Sequence, residues 1–327
     1  MLRYLLKRAL IYLAMTFVAT SVAFFVAASF LQPGRQFEQR TPPLTDAQIH
    51  NMLANLGLDP DRPIILRYVD WLEGVFLHWD WGRSPDSSYV NAEFGSRVMV
   101  SASLTLATIV LTLVIGVALG VYSAARQYRA SDRIITQYSY LTSVVPVPVA
   151  YLLVQFAAIV INNAAGSRIF YVTGISSVGI SGFLPTVLDL AQHYIVPTFA
   201  MTVFGWAGYQ IAQRQYLLDN INADFVRTAR ATGLSRTKAI SRHALRVSFI
   251  PVAQSIAFTI PAIFTGSFFA ESIFNWPGLG VWSINAIANQ DVMVAVAMTA
   301  YGSIIFAIGA ILADFATVFV DPRVRYA

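Results

Sequence analysis

The chain offers few groups for bond-making chemistry. Its four histidines, His50, His78, His193 and His243, are scattered and form no H-E-x-x-H array. No G-x-S-x-G elbow presents a serine nucleophile, and no G-x-x-x-x-G-K-[ST] loop cradles a phosphate; the only lysines are Lys7 and Lys238. Cysteine is absent, which removes disulfides, thiolate metal sites and thiol nucleophiles. Two groups of residues remain. One is the stretch NINADFVRTARATGLSRTKAISRHALR, where arginines alternate with alanines and threonines in the manner of a docking surface. The other is a set of neutral amides inside apolar runs, Gln155, Asn162, Asn163, Gln210 and Gln254, joined by Glu271. Such groups can line a path for a polar solute, and they can equally bond one helix to another.

The elements that must position these residues are membrane spans. Of 327 residues, 56% are hydrophobic and 12% charged, about half the charged share of an ordinary soluble domain. That composition excludes a water-soluble globule. A span consumes about 20 residues. Apolar runs at roughly 9–30, 98–124, 134–161, 194–213, 247–270 and 292–320 predict six transmembrane helices in an all-α polytopic fold. The first run follows Arg3, Lys7 and Arg8 but is longer than the apolar core of a usual signal peptide, so it reads as an uncleaved helix. Residues 170–190 are apolar but broken by glycines and Pro185, and are expected to form an external loop or a re-entrant cap. Pro146, Pro148, Pro197, Pro251 and Pro261 should bend the spans that carry them.

Charge sets the expected orientation. Six spans put both termini on one side, together with connections 126–133 and 214–246, and these segments hold 15 of the 22 arginines and lysines. That side should be cytoplasmic. The opposite 31–97 loop has six arginines against nine acidic residues. Within it, Thr45 can cap a helix carrying Ile49, Met52, Leu53 and Leu56, with Gly57 as its stop. A second stripe, Ile65, Tyr68, Leu72, Val75 and Phe76, leads to Trp79 and Trp81. The loop reads as a subdomain of short helices capping the outer ends of the spans, with a surface able to meet a delivery protein.

In the 214–246 loop, Asn222 is a candidate cap, Asp224 lies at the positive end of a short helix, and Gly233 is a candidate left-handed stop. Phe225, Val226 and Ala229 would share one apolar face, with Arg227 and Arg230 beside it. Ser235 can start a second helix carrying Lys238, Arg242, His243 and Arg246. His243 reads as a cap or docking residue.

The run Asp224-Phe225-Val226-Arg227-Thr228-Ala229-Arg230-Ala231-Thr232-Gly233-Leu234 resembles the cytoplasmic coupling motif of ABC importer permeases, in the dipeptide and oligopeptide branch. Ala229 corresponds to the second alanine of the general motif, Gly233 to its glycine and Leu245 to a distal leucine. Arg227 replaces a glutamate and Arg246 a proline, as in the peptide branch. The opening RYLLKRALIYL, Pro33-Gly34, LGLDPDRP, the segment ESIFNWPGLG and the ending at 321–326 are similar to other parts of the family; Arg35 departs from its usual acidic residue. Trp276-Pro277-Gly278 reads as a tight outer turn with an interfacial aromatic.

The resemblance implies one permease domain over 1–327, with the type I importer fold, in a bacterial inner membrane. It implies a second, similar permease, two ATP-binding subunits or domains that hold ATP and Mg2+, and an external substrate-binding protein. No cofactor, metal or catalytic residue is expected in this chain, and nucleic acid is not an expected partner. Peptide is the expected substrate class; nickel, glutathione and oligosaccharides belong to relatives of the same architecture. A secondary transporter or channel is the competing class, and would need paired intramembrane ion sites or a repeated pore element.

Overall fold

The computed structural model describes residues 2–38, 44–86 and 88–320, so the ending at 321–326 lies outside the described residues. In chain order the helices are α1 (Leu2–Phe30), α2 (Arg35–Glu38), α3 (Asp46–Asn55), α4 (Ile64–His78), α5 (Val90–Ala125), α6 (Ala130–Val144), α7 (Val147–Ala165) and α8 (Phe183–Asn220). They continue as α9 (Asp224–Ala231), α10 (Arg236–Ala239), a π-helical turn (Ile240–Ala244), α11 (Leu245–Thr265), α12 (Phe268–Ile273), α13 (Leu279–Ala288) and α14 (Val292–Val320).

Among the described residues, five helical stretches are long and apolar enough to cross a membrane: Lys7–Glu38, Val90–Ala125, Val147–Ala165, Arg236–Ile273 and Val292–Leu312. The fourth expected span, 194–213, lies inside α8, where Asp189, His193, Gln210, Gln213 and Arg214 dilute the apolar content. The expected third span is two helices. Val145 and Pro146 are extended, at ψ 124° and 132°; Val145 is so because a residue before proline is driven out of the helical region. The region 170–190 also divides: irregular chain runs to Gly182, and residues 183–190 are the first turns of α8. Likewise, residues 90–97 of the expected outer loop already belong to α5, and 214–220 of the expected inner loop belong to α8.

The chain divides into two compact units. The first comprises Met1–Ser101, Phe264–Phe268 and Pro277–Ile311. Its core gathers Phe24, Phe37, Leu53, Leu58, Trp71 and Val75 with Val292, Met293, Val294 and Val296. Thr45 caps α3 in a reciprocal box: its hydroxyl accepts the Gln48 N–H at 3.4 Å, and the Gln48 side chain accepts the Thr45 N–H at 2.9 Å. Helix α4 crosses α1, with Tyr68 hydrogen-bonded to Ser21 and ring contacts from Trp71 and Tyr68 to Phe24. Asp291 is buried at the start of α14, accepting from Ser84 and from the Val294 N–H.

The second unit comprises Ala102–Ile263, Phe269–Trp276 and Leu312–Ala327. Here α5 and α8 pass so closely that an added Cβ at Gly116 would lie 2.6 Å from the Trp206 carbonyl oxygen, and one at Gly120 2.8 Å from the Gln213 Cβ. Small residues four apart are what permit such an approach. Gln210 fastens the same crossing by donating to Ser123 Oγ at 2.9 Å. Trp276, expected at an interface, is instead 1% exposed, its ring edge-on to Tyr194 at 4.7 Å; the N–H of Trp276 donates to the Glu271 carbonyl and turns the chain inward.

Candidate functional site

The 221–246 segment forms a small helical body on the end of α8. Helix α9 starts without a side-chain cap: Ala223, rather than Asn222, occupies the cap position, and no side chain bonds there. The carboxylate of Asp224 in the first turn and Arg230 in the last complement the helix dipole. The helix stops at Thr232, and Gly233 follows at φ +97°, donating its N–H to the Arg230 carbonyl at 3.0 Å while Leu234 donates to Ala229 at 3.2 Å. The Ser235 hydroxyl then caps α10 by accepting the Lys238 N–H at 3.4 Å. The π-turn carries this helix into α11.

One side of this body is closed. Val226 and Ala229 are buried with Ala124, Leu217, Ile221, Ala239, Ile240 and Ala244, and Leu234 packs on the cluster. The expected single apolar face is therefore split: Val226 and Ala229 anchor α9 to its own chain, while Phe225 remains 42% exposed. The outward side shows Phe225, Thr228 and Ala231 among Arg227, Arg230, Arg236, Lys238, Arg242 and Arg246. Asp224 pairs with Arg227 at 3.6 Å, but both are in solvent, so the pair adds little stability. His243 and Leu245 are half-buried, in and just after the π-turn.

Beside this body, Arg214 near the end of α8 grips Asp132 at the start of α6. Asp132 also accepts the Tyr128 N–H at 2.9 Å and the Thr136 hydroxyl at 3.2 Å. The hydrogen bonds from Arg214 hold the Asp132 carboxyl below the usual range, against the opposing effect of burial. The 221–246 body is thus carried on a braced support.

The amides expected along a path are mostly committed elsewhere. Asn162 Oδ1 accepts the N–H groups of Ile169 and Phe170 at 2.9 and 2.8 Å, and its Nδ2 donates to the Phe170 carbonyl at 2.7 Å. Gln155 donates to the carbonyls of Val172 and Ile273 at 3.2 and 2.8 Å. Gln210 and Glu271 are fully buried, and Gln254 is half-buried on α11. The chain reading missed Gly116 and Gly120; the G-x-x-x-G spacing in an apolar run was the signal available.

Residues 116–326, which include the whole of this body, match the family described as the binding-protein-dependent transport system inner membrane component. The chain belongs to this family of ABC importer permeases. Relatives align along its full length. The oligopeptide transport system permease protein OppB of Mycobacterium tuberculosis is 35% identical over 326 residues, 99% of each chain. The permease protein AppB of Bacillus subtilis is 28% identical over 333 residues, and the glutathione transport system permease protein GsiC of Salmonella typhi 29% over 329, each covering 100% of both chains. As a permease of this kind, the chain is a multi-pass protein of the bacterial inner membrane and a non-catalytic subunit. ATPase subunits and a substrate-binding protein complete the general architecture of such importers.

Proposed function

We propose that this permease forms half of a peptide translocation pathway and receives the ATPase stroke through Asp224–Leu234. The observation that carries the reading is the division of α9: Val226 and Ala229 are locked into the chain's own helices, while Phe225, Thr228 and Ala231 face outward. A lever must be stiff at one end and free to dock at the other. Small outward residues permit close approach by a partner, and the surrounding arginines suit an acidic rim. Six spans with cytoplasmic termini, α8 supplying the fourth, agree with the charge distribution and place this lever inside the cell. The 31–97 subdomain then lies outside, where a substrate-binding protein delivers cargo. The path itself would run between this chain and a second permease, with Gln210, Gln254 and Glu271 nearest to such a role and Gln155 and Asn162 shaping its outer loop.

Peptide is the substrate class favoured by the 35% relative; the glutathione permease at 29% supports a short γ-linked peptide as the second reading. Both are tested in the assembled importer. A Thr228→Cys chain should cross-link to the ATPase subunit and resist a membrane-impermeant maleimide applied outside. Labelling from outside, or absence of any ATPase contact, overturns the coupling role. Stimulation of ATPase activity by a panel of peptides against glutathione then decides the cargo.

A further inference from the structure

Helix α4 is built to lie in the membrane surface, and we propose that its Ile65, Val69 and Phe76 flank is buried among lipid acyl chains beside α1. Three observations lead there. The first is depth. The apolar run of α1, residues 9–30, would be about 33 Å long at 1.5 Å per residue, matching a hydrocarbon core of about 30 Å. Ser21 lies about 13 Å before the end of that run by the same rise, yet it is hydrogen-bonded to Tyr68 in the second turn of α4. Phe25, also inside the run, packs on Tyr68 at 4.8 Å.

The second is direction. Arg67, the neighbour of Tyr68, lines a cavity with Ala28, Leu31, Gln32 and Pro33, at and beyond the end of the α1 run. Tyr68, which meets Ser21, Phe24 and Phe25, and its neighbour Arg67 therefore face successive levels of α1. Tyr68 and Trp71, three residues apart on α4, also both meet the ring of Phe24, which fits a helix lying across α1 with one flank facing down the span and the other facing out.

The third is the distribution of side chains about α4. At about 100° per residue, Ile65, Val69, Leu72 and Phe76 follow Tyr68 on the deep flank. Arg67, Asp70 and Glu73 occupy the other side, with Leu66 and Leu77 between them. Trp71 and Val75 are buried in the core, but Ile65, Val69 and Phe76 are 65%, 50% and 71% exposed. Large apolar side chains at that depth meet hydrocarbon, while the charged flank meets headgroups and water. Trp79, 68% exposed just past the helix, sits where an interfacial anchor belongs. The short outer helices thus do more than cap the spans: α4 is a monotopic helix appended to α1.

The absence of cysteine allows a direct test. Single variants Phe76→Cys and Glu73→Cys, with Phe17→Cys on α1 as the reference for lipid, are spin-labelled in the full-length chain in phosphatidylcholine/phosphatidylglycerol nanodiscs. The ratio of collision with oxygen to collision with a nickel chelate at 76 should be several-fold higher than at 73 and close to that at 17. A value at 76 equal to that at 73 and several-fold below that at 17 would place the helix in water and overturn the proposal. A label at 76 that is immobilised and shielded from both probes would mean a protein neighbour covers the flank, and would overturn it equally. Val69→Cys, on the same flank, guards against a local disturbance at 76 and must report the same environment.

Discussion

The carboxylate of Asp132 receives the guanidinium of Arg214 across 82 residues of sequence, Nε to Oδ1 at 2.7 Å and Nη2 to Oδ2 at 3.0 Å. The pair joins the start of α6 to the end of α8, directly ahead of the 221–246 body. Asp132 is 2% exposed, so its removal strands a cation in a poorly solvated place. Asp132→Ala should destabilise the chain by about 3 kcal/mol, read as a lowered thermal midpoint in detergent. The folded carboxyl titrates below its unfolded value, so this stabilisation is present at neutral pH and is lost as pH falls below about 4 through the folded pKa. Asp132→Asn should abolish that acid-dependent component.

At the α5 and α8 crossing, Gly120→Val should cost about 1–3 kcal/mol or prevent folding, because the new side chain would meet the Gln210 carbonyl at 2.9 Å. Gly208→Ala is the matched control on α8, with no heavy atom within 4 Å of the added carbon. Yield of monodisperse protein and thermal midpoint should separate the two.

Gly233→Val tests the proposed coupling role of the 221–246 body by a different physical route. Space is open around Gly233, so nothing clashes; its φ of +97° is the difficulty, and a β-branched residue there costs about 1–3 kcal/mol. The strain falls on the turn between α9 and α10. Uptake should drop severalfold while the amount of chain in the membrane stays near wild type, as read by transport in vesicles against a blot.

Asn162 holds the irregular chain after α7 by three hydrogen bonds. Asn162→Ala should cost about 1–3 kcal/mol locally, by leaving two backbone N–H groups and a carbonyl without their partner. Faster amide exchange across 166–182, with α8 unchanged, is the expected signature.

Several of these features were legible in the chain because their cause is local. Thr45 and Gln48 stand three apart before an apolar stripe, and they form the box that spacing predicts. Pro146 breaks the expected third span for a steric reason that involves one neighbour. What was not legible depends on partners remote in sequence. The inward turn of Ala229 requires Leu217 and Ala244 to be in place, and a short amphipathic helix does not reveal whether its apolar face meets its own chain or another. Asn162 and Gln155 looked like pathway amides because their apolar surroundings hid the loop carbonyls that they serve. Trp276 followed a turn motif that suggested an interface, and only the ring of Tyr194 shows why it is interior.

The wide turn at Ile240–Ala244, closed by the Leu245 N–H on the Ile240 carbonyl, accommodates one residue more than an α-helical turn would. That surplus residue acts as a phase shifter. Removing it would let the helix wind regularly but would rotate everything downstream by about 100°, carrying Ser248 away from Gln213 and turning Pro251 toward a new azimuth. The rotational setting of α11 is therefore written at its first turn, beside the surface through which force would enter.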